Sequence, residues 1–426
     1  MTPTTDRRSL MRYAAATIVT TTLAGCAAAQ SYSPVAAGAA ATVQPATEVS
    51  GLFASTRLHT LDIAMSTADF AAIQAAYAAD RTKDWVEARV TIDGTAYDRC
   101  GVRLKGNSTI WRVPAGSGAS EYPWLVRLDK FVDGQAHEGV TEIVVRLNNT
   151  ASALNEAMAL DLMGKAGLAT QPWAYAVVSV AGSAPVLRLV MEQPSAPWAG
   201  RTFDGTGILY KAEAQANYDY LGDEPSAYAE RFDVEAGEDD LAPLIGFLKW
   251  INQADDAGFA SGLGGHLDVE AFATYLAFED LIDNDDAIDG PGNNSYLWWA
   301  TAARRMTVVG WDHNLSFGVS NRPGAGGQGA GGVGRPGGGG AMGGAGGGAN
   351  RGNQSGNVLA RRFEANPDFA AAKSAAMTRL QADLITSGYA SARLDAIAAV
   401  LTATAGDYLP AASLSAEKAS IAAYFA

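Results

Sequence analysis

Between Asp283 and Trp299 the chain reads DNDDAIDGPGNNSYLWW, which sets four carboxylates and three asparagines directly before an apolar run. Oxygen ligands at this density suit a hard cation or the handling of a proton. A calcium loop of the EF-hand type needs glycine at its sixth position and glutamate at its twelfth. Counted from Asp283, those positions hold Ile288 and Asn294, which excludes that site. A solvated helix end running into a turn accounts for the same composition, because Asp, Asn, Gly and Pro all favour turns. The following segment bears on the choice. MTVVGWDHN carries an apolar run into Asp312, and an acid placed there is unfavourable unless paired or bound to metal. A hairpin from Ser295 to Trp311 would bring Asn294 and Asp312 to one end of neighbouring strands. A carboxylate and an amide oxygen in that position suit Mg2+ held jointly with phosphates. Asp286, a short loop away, could then orient a hydroxyl nucleophile. One Asp for the nucleophile and an Asn with a second Asp for the metal is the division of labour of phosphoryl transfer.

Elements that could position these residues follow from periodicity. HTLDIAM reads as a strand, and STADFAAIQAAYAADR as a helix with Ser66 and Asp69 in a capping-box pattern. WVEARVTI and TAYDRCGVRLKG alternate around Asp93-Gly94, a hairpin signal. Strands follow at YPWLVRLDKF and VTEIVVRLNN, then a helix at SALNEAMALDLMGKAGL and strands at WAYAVVSVAG and APVLRLVME. The first half is therefore expected to be a mostly antiparallel sheet with one or two helices. After GILYKA the patterns turn helical, in LAPLIGFLKWIN and VEAFATYLAFEDLID. SYLWWA and RRMTVVGW read as two strands, and three further helical segments fill Phe369 to Phe425. Pro323 to Gly356 holds 18 of the 47 glycines and no acid, a composition expected to form a disordered surface insertion rather than a core. Its matches to GxGxxG arise from glycine content and carry no weight as a nucleotide loop.

A chain of 426 residues, 48% of them apolar, is long enough for two cores. At the N-terminus Arg7, Arg8 and Arg12 precede AAATIVTTTLA, too short to span a bilayer. Residues 1–25 are expected to be a signal peptide of lipoprotein type, because LAGC ends at Cys26, the residue to be lipidated. DRRSLMR also has the paired arginines of a twin-arginine signal. The expected location is extracytoplasmic, on a bacterial membrane, with residues 26–50 as a tether. Removing residues 1–25 takes away three arginines and one aspartate and moves the net charge from -14 to -16, which argues against a nucleic-acid partner. With Cys26 lipidated, Cys100 has no partner for a disulfide. The four histidines, His59, His137, His266 and His313, are scattered and form no HExxH, so zinc is not expected. Neither GxSxG nor GxxxxGK[ST] occurs.

In order along the chain, GVRLKGNST, YPWLVRLDK, LNEAMALDLMGKAGL, LVMEQ, GILYK, LIDNDDAIDGPGNNSYLWW and VVGWDHNLSFG resemble the CotH kinases, atypical protein kinases named for a bacterial spore coat protein. With the Gly-rich insertion and NVLARRFEANPDF, the resemblance extends over about residues 55–425. It implies a bilobal α+β protein-kinase-like fold, with a mostly antiparallel β N-lobe at 51–200 and a mainly helical C-lobe at 201–426 interrupted by the insertion 323–356. It implies transfer of the ATP γ-phosphoryl group to Ser or Thr of a protein with Mg2+. Asp286 takes the place of the catalytic-loop aspartate, and Asp312 and Asn294 those of the metal ligands. Glu156 corresponds to the acidic partner of a phosphate-binding base, for which Lys105 and Arg127 are both candidates. Many relatives have Lys where Arg127 stands, and Arg is no simple substitute for a buried Lys. Glu192 falls near the adenine segment, and Lys211 faces the cleft. Where many relatives have Trp-Asp-x-Asp, this chain has Trp311-Asp312-His313-Asn314, one carboxylate fewer for a metal. Two other readings stay open, a non-catalytic surface assembly protein on the same fold and a metal-dependent polymer-binding module.

Overall fold

The computed structural model of the chain describes residues 51–106, 109–214, 216–284, 286–290, 294–319 and 357–426. The signal peptide, Cys26, the tether and the insertion 323–356 lie outside the described residues, as do Asn107, Ser108 and Asp285. The first half runs β1 (Leu58–Ala64), α1 (Thr67–Asp80), β2 (Val86–Ile92), β3 (Thr95–Leu104), β4 (Trp124–Arg127), β5 (Glu142–Val145), α2 (Leu154–Lys165), β6 (Trp173–Val180), β7 (Val186–Glu192) and α3 (Ala196–Thr202). The second half begins with β8 (Gly207–Ala212), β9 (Phe232–Ala236), α4 (Ala242–Gln253), α5 (Asp256–Gly262), α6 (Val269–Leu281), β10 (Ser295–Ala300) and β11 (Arg305–Gly310). Four helices follow: α7 (Val358–Ala365), α8 (Pro367–Leu380), α9 (Tyr389–Thr404) and α10 (Ala411–Ala422).

Local signals are realised where they were read. Ser66 accepts from the Asp69 N–H while Asp69 reaches back to the Ser66 N–H, which caps α1. Asp93 and Gly94 both take positive φ, the conformation a two-residue hairpin turn requires, and join β2 to β3. The mixed α+β class holds, but the first sheet is more than a meander. Its seven strands close into a barrel in the order β1-β2-β3-β4-β5-β7-β6, sealed by parallel pairing of β1 with β6. Closure removes the sheet edges. Inside, Val90, Val102, Leu104, Trp124, Val126, Ile143 and Val145 form a buried core.

The second half contains a sheet of its own, ordered β11-β10-β8-β9. Its outer strand β9, FDVEA, has no counterpart in the sequence reading, because the half-polar run falls below the apolar pattern used there. A second core is continuous from α2 through this sheet to the C-terminal helices. Helix α2 is thus shared. Asp161 on its outer face accepts from Arg393 of α9 at 2.6 Å and from the Tyr389 hydroxyl at 3.0 Å. Its N-terminus has no cap from its own Ala153 and is held instead by Glu417 of α10, which accepts the Ala151 N–H at 2.6 Å.

Candidate active site

The outward side chains of the barrel wall meet the second sheet across a cleft of about 490 Å³. Val102 and Leu104 point into the barrel, so Arg103 and Lys105, alternating with them, face out into the cleft. The same alternation after β5 buries Val145 and turns Val144 and Arg146 to the cleft. Lys211 of β8 and its cross-strand partner Asp233 of β9 line it from the other side, with Glu235. Lys83 joins from the loop after α1, donating to the Gly106 carbonyl at 3.2 Å.

The β10–β11 hairpin forms with Ser295 opposite Gly310. This register puts Asn294 beside Trp311, whose N–H donates to the Asn294 carbonyl at 3.3 Å. Asn294 Nδ2 donates to Asp286 twice, to Oδ2 at 2.6 Å and to the backbone carbonyl at 3.0 Å. With its nitrogen turned to Asp286, the atom Asn294 can offer a cation is Oδ1. Asp312 has φ +63°, a left-handed conformation that Asp tolerates better than most residues. Asp286, Asn294 and Asp312 all line the cleft.

The partner of Glu156 is neither of the two bases considered from the sequence. Arg146 Nε donates to Glu156 Oε2 at 3.0 Å, and its Nη2 lies 2.8 Å from Oε1. The same Nη2 donates to Asp312 Oδ1. One buried guanidinium therefore joins α2 to the end of β11. Burial lowers the pKa of Arg146, but the carboxylates of Asp312 and Glu156 more than offset it and raise it overall. Burial raises Glu156 above the ordinary carboxylate range, against the pull of Arg146. The remaining cations repel one another. Burial and the neighbouring Lys211 bring Lys105 down to about 7, and burial with Arg103 and Lys211 brings Lys83 to about 8. Lys211, lowered chiefly by burial, is paired with Glu213. Lys83, Arg103, Lys105, Arg146 and Lys211 share the cleft wall with Glu213, Asp233, Glu235, Asp286 and Asp312, so it presents both signs of charge.

A model of the family described as CotH kinase protein matches residues 102–411. The chain belongs to the CotH kinase family. No curated protein matches it. The matched span takes in every cleft residue named above except Lys83.

Within this CotH family member, two expected site residues lie elsewhere. Arg127 pairs with Asp129 at 2.8 Å, its side chain 40% exposed, and does not line the cleft. Glu192 is buried at the end of β7, held by Arg201, and is likewise absent from the cleft wall. Lys105, Lys211, Asp286, Asn294 and Asp312 are brought together there, and Glu156 reaches the cleft through Arg146. The residues missed are Arg146, Lys83, Arg103, Glu213, Asp233 and Glu235. Arg103, two before Lys105 in VRLKG, was readable from strand alternation, as were Asp233 and Glu235 once β9 is recognised. Arg146 directly follows the apolar run Ile143 to Val145, a place where a cation has to find a partner.

A second buried bridge stands behind the acids of this CotH site. His313 Nε2 bonds Glu279 Oε1 at 3.0 Å, and Asn284 Nδ2 donates to Glu279 Oε2 at 2.8 Å. Asn284 Oδ1 accepts the Asp286 N–H at 3.3 Å. Glu279, buried in the last turn of α6, thereby ties the segment after β11 to the loop of Asp286. Burial opposes a charge on His313, but Glu279 outweighs it and raises the imidazole pKa.

No group of three or more His, Cys, Asp or Glu forms a metal cage among the described residues. Asp286, Asp312 and the Asn294 amide oxygen are hard oxygen donors too few to enclose a cation alone. They fit Mg2+, which takes one or two carboxylates and completes its shell with substrate phosphates and water.

Proposed function

We propose that the protein is an atypical kinase of two lobes, 51–200 and 201–426, transferring the γ-phosphoryl group of ATP to Ser or Thr hydroxyls of a protein. The observation that carries this reading is the convergence of Asp286, Asn294 and Asp312 with Lys105, Lys211 and Arg146 in one cleft lined by both halves. Lys105, Lys211 and Arg146 hold the phosphates. Asp312 and the Asn294 amide oxygen would hold Mg2+, which supplies charge neutralisation at the phosphate oxygens. Asp286 Oδ2, fixed by Asn294 Nδ2, orients the acceptor hydroxyl and takes its proton as its oxygen bonds the γ-phosphorus and the bond to the β,γ-bridging oxygen breaks, releasing ADP. Preorganisation is the main contribution, because Asp286 is already positioned by Asn284 and Asn294 before substrates arrive.

Transfer from labelled ATP to a protein acceptor, or to the chain itself, tests the reading. Asp286→Asn and Asp312→Ala should each lose about 10²-fold or more in rate. Incorporation that survives both substitutions refutes the catalytic assignment.

The LAGC ending at Cys26 supports a location outside the cytoplasm, anchored by lipid on that residue. Cys26→Ser should release the protein from the membrane fraction, and unchanged fractionation counts against the anchor. A second reading, a nucleotide-binding assembly protein without transfer, is favoured by Asn314 in place of a second acid and by the ion pair already on Asp312. It calls for Mg2+-dependent stabilisation by ATP with no phosphate incorporation.

A further inference from the structure

Asp312, the acid assigned to the metal, is already engaged. Its Oδ1 accepts from Arg146 Nη2, and the same guanidinium is held from behind by Glu156 through Nε at 3.0 Å and Nη2 at 2.8 Å. Arg146 and Glu156 are both buried, whereas the Asp312 side chain is 26% exposed and faces the cleft. We propose that Arg146 is a latch on the cation site, which makes divalent-metal binding at Asp312 conditional on a phosphate that draws the guanidinium away. This rests on the reading above that Asp312 and Asn294 hold a cation beside phosphates.

The physical argument concerns what each ligand does to Arg146. A divalent cation arriving alone at Asp312 meets a fixed positive charge on the oxygen it must coordinate, within a partly desolvated cleft where like charges are weakly screened. Displacing Nη2 leaves part of a buried guanidinium without its anion, which is unfavourable. A phosphate oxygen supplies what Asp312 supplied, because a guanidinium fork binds phosphate and carboxylate in similar geometry. Glu156 keeps Nε in place throughout, so the exchange needs only a small displacement of Nη2. Metal and phosphate therefore strengthen each other's binding, and the coupling is reciprocal. Arg146 acts here as a positioning residue, through Asp312.

Mn2+ binding, followed by electron paramagnetic resonance of the free ion, gives a readout independent of turnover. For the wild-type chain the Mn2+ affinity should rise by about tenfold or more when a non-hydrolysable ATP analogue is added. The double variant Arg146→Gln with Glu156→Gln removes the latch and its counter-charge together, leaving no unpaired buried ion. It should bind Mn2+ alone about tenfold more tightly than wild type, and the further rise on adding the analogue should be smaller than in wild type, because only direct ligation by the phosphates remains. Adding Asp312→Ala should abolish that gain. Arg146→Lys, which keeps the charge but cannot span two carboxylates with a planar fork, should give an intermediate gain and serves if the double variant unfolds. Unchanged Mn2+ affinity in both variants overturns the latch. A wild-type chain that binds no analogue defeats the kinase reading, while the metal-alone comparison still judges the latch.

Discussion

Replacing Glu417 with alanine probes how the C-terminal helix holds the site-bearing helix α2. Its carboxylate accepts the Ala151 N–H at 2.6 Å, the Ser152 N–H at 3.3 and 3.2 Å, the Thr150 hydroxyl at 3.0 Å and the Ser152 hydroxyl. The two hydroxyls also accept from the Ala153 and Leu154 N–H groups, so Glu417 orients a cap that α2 cannot build from its own Ala153. Hydroxyls can turn to new partners, but the two backbone N–H groups cannot. Each left without an acceptor costs about 1–2 kcal/mol, and loss of an anion from a helix N-terminus adds about 0.5 kcal/mol. Glu417→Ala should therefore destabilise the protein by about 3 kcal/mol, which lowers the unfolding midpoint by ~5 °C in a chain of this size. Glu417→Gln keeps an acceptor oxygen and should lose about half as much. Differential scanning fluorimetry on the two variants is sufficient. A midpoint shift below about 2 °C for Glu417→Ala would show that water or a rearranged loop replaces the carboxylate, and the reasoning would fail. Because α2 carries Glu156, the alanine variant should also bind the ATP analogue more weakly.

Lys105 sets a pH dependence. Its folded pKa of about 7 lies below the usual 10.5, so between those values the unfolded chain holds a proton that the folded chain has released. On this group's account stability rises with pH across that window, and Lys105→Met should flatten the rise. A bound polyanion favours the charged lysine, so calorimetry in buffers of different ionisation enthalpy should detect proton uptake on nucleotide binding at pH 8, lost in Lys105→Met. Arg127→Ala, outside the cleft, should leave nucleotide affinity within about twofold and stability within ~1 kcal/mol, and a larger loss of affinity would return Arg127 to the site. At Gly310 a Cβ would stand 2.8 Å from Met163 Cε and 2.9 Å from His313 Cε1. The methionine tip can yield, but the imidazole is pinned by Glu279, so Gly310→Ala should cost about 1–3 kcal/mol in chemical denaturation, and a neutral result would mean the ring can move.

The Ser66–Asp69 cap, the Asp93-Gly94 turn and the β10–β11 hairpin were legible because each depends on residues close in sequence, whose backbone preferences are intrinsic. The same locality placed Asn294 and Asp312 at one end of the hairpin. Strand alternation could have added Arg103, but it did not reveal β9, where Asp233 and Glu235 interrupt the apolar signal. The sequence by itself thus determined which acids stand at the hairpin end and which strands flank them. Only the tertiary structure decided the closure of the barrel through β1 and β6, the choice of Arg146 over Lys105 or Arg127 as the partner of Glu156, and the capping of α2 by Glu417. Arg146 lies 166 residues from Asp312 and Glu417 lies 265 from Ser152. An arginine at a strand end has the same local pattern whether it meets solvent, one carboxylate or two. Its partner is chosen by the relative placement of elements, and that placement is set by the packing of α2 against both halves.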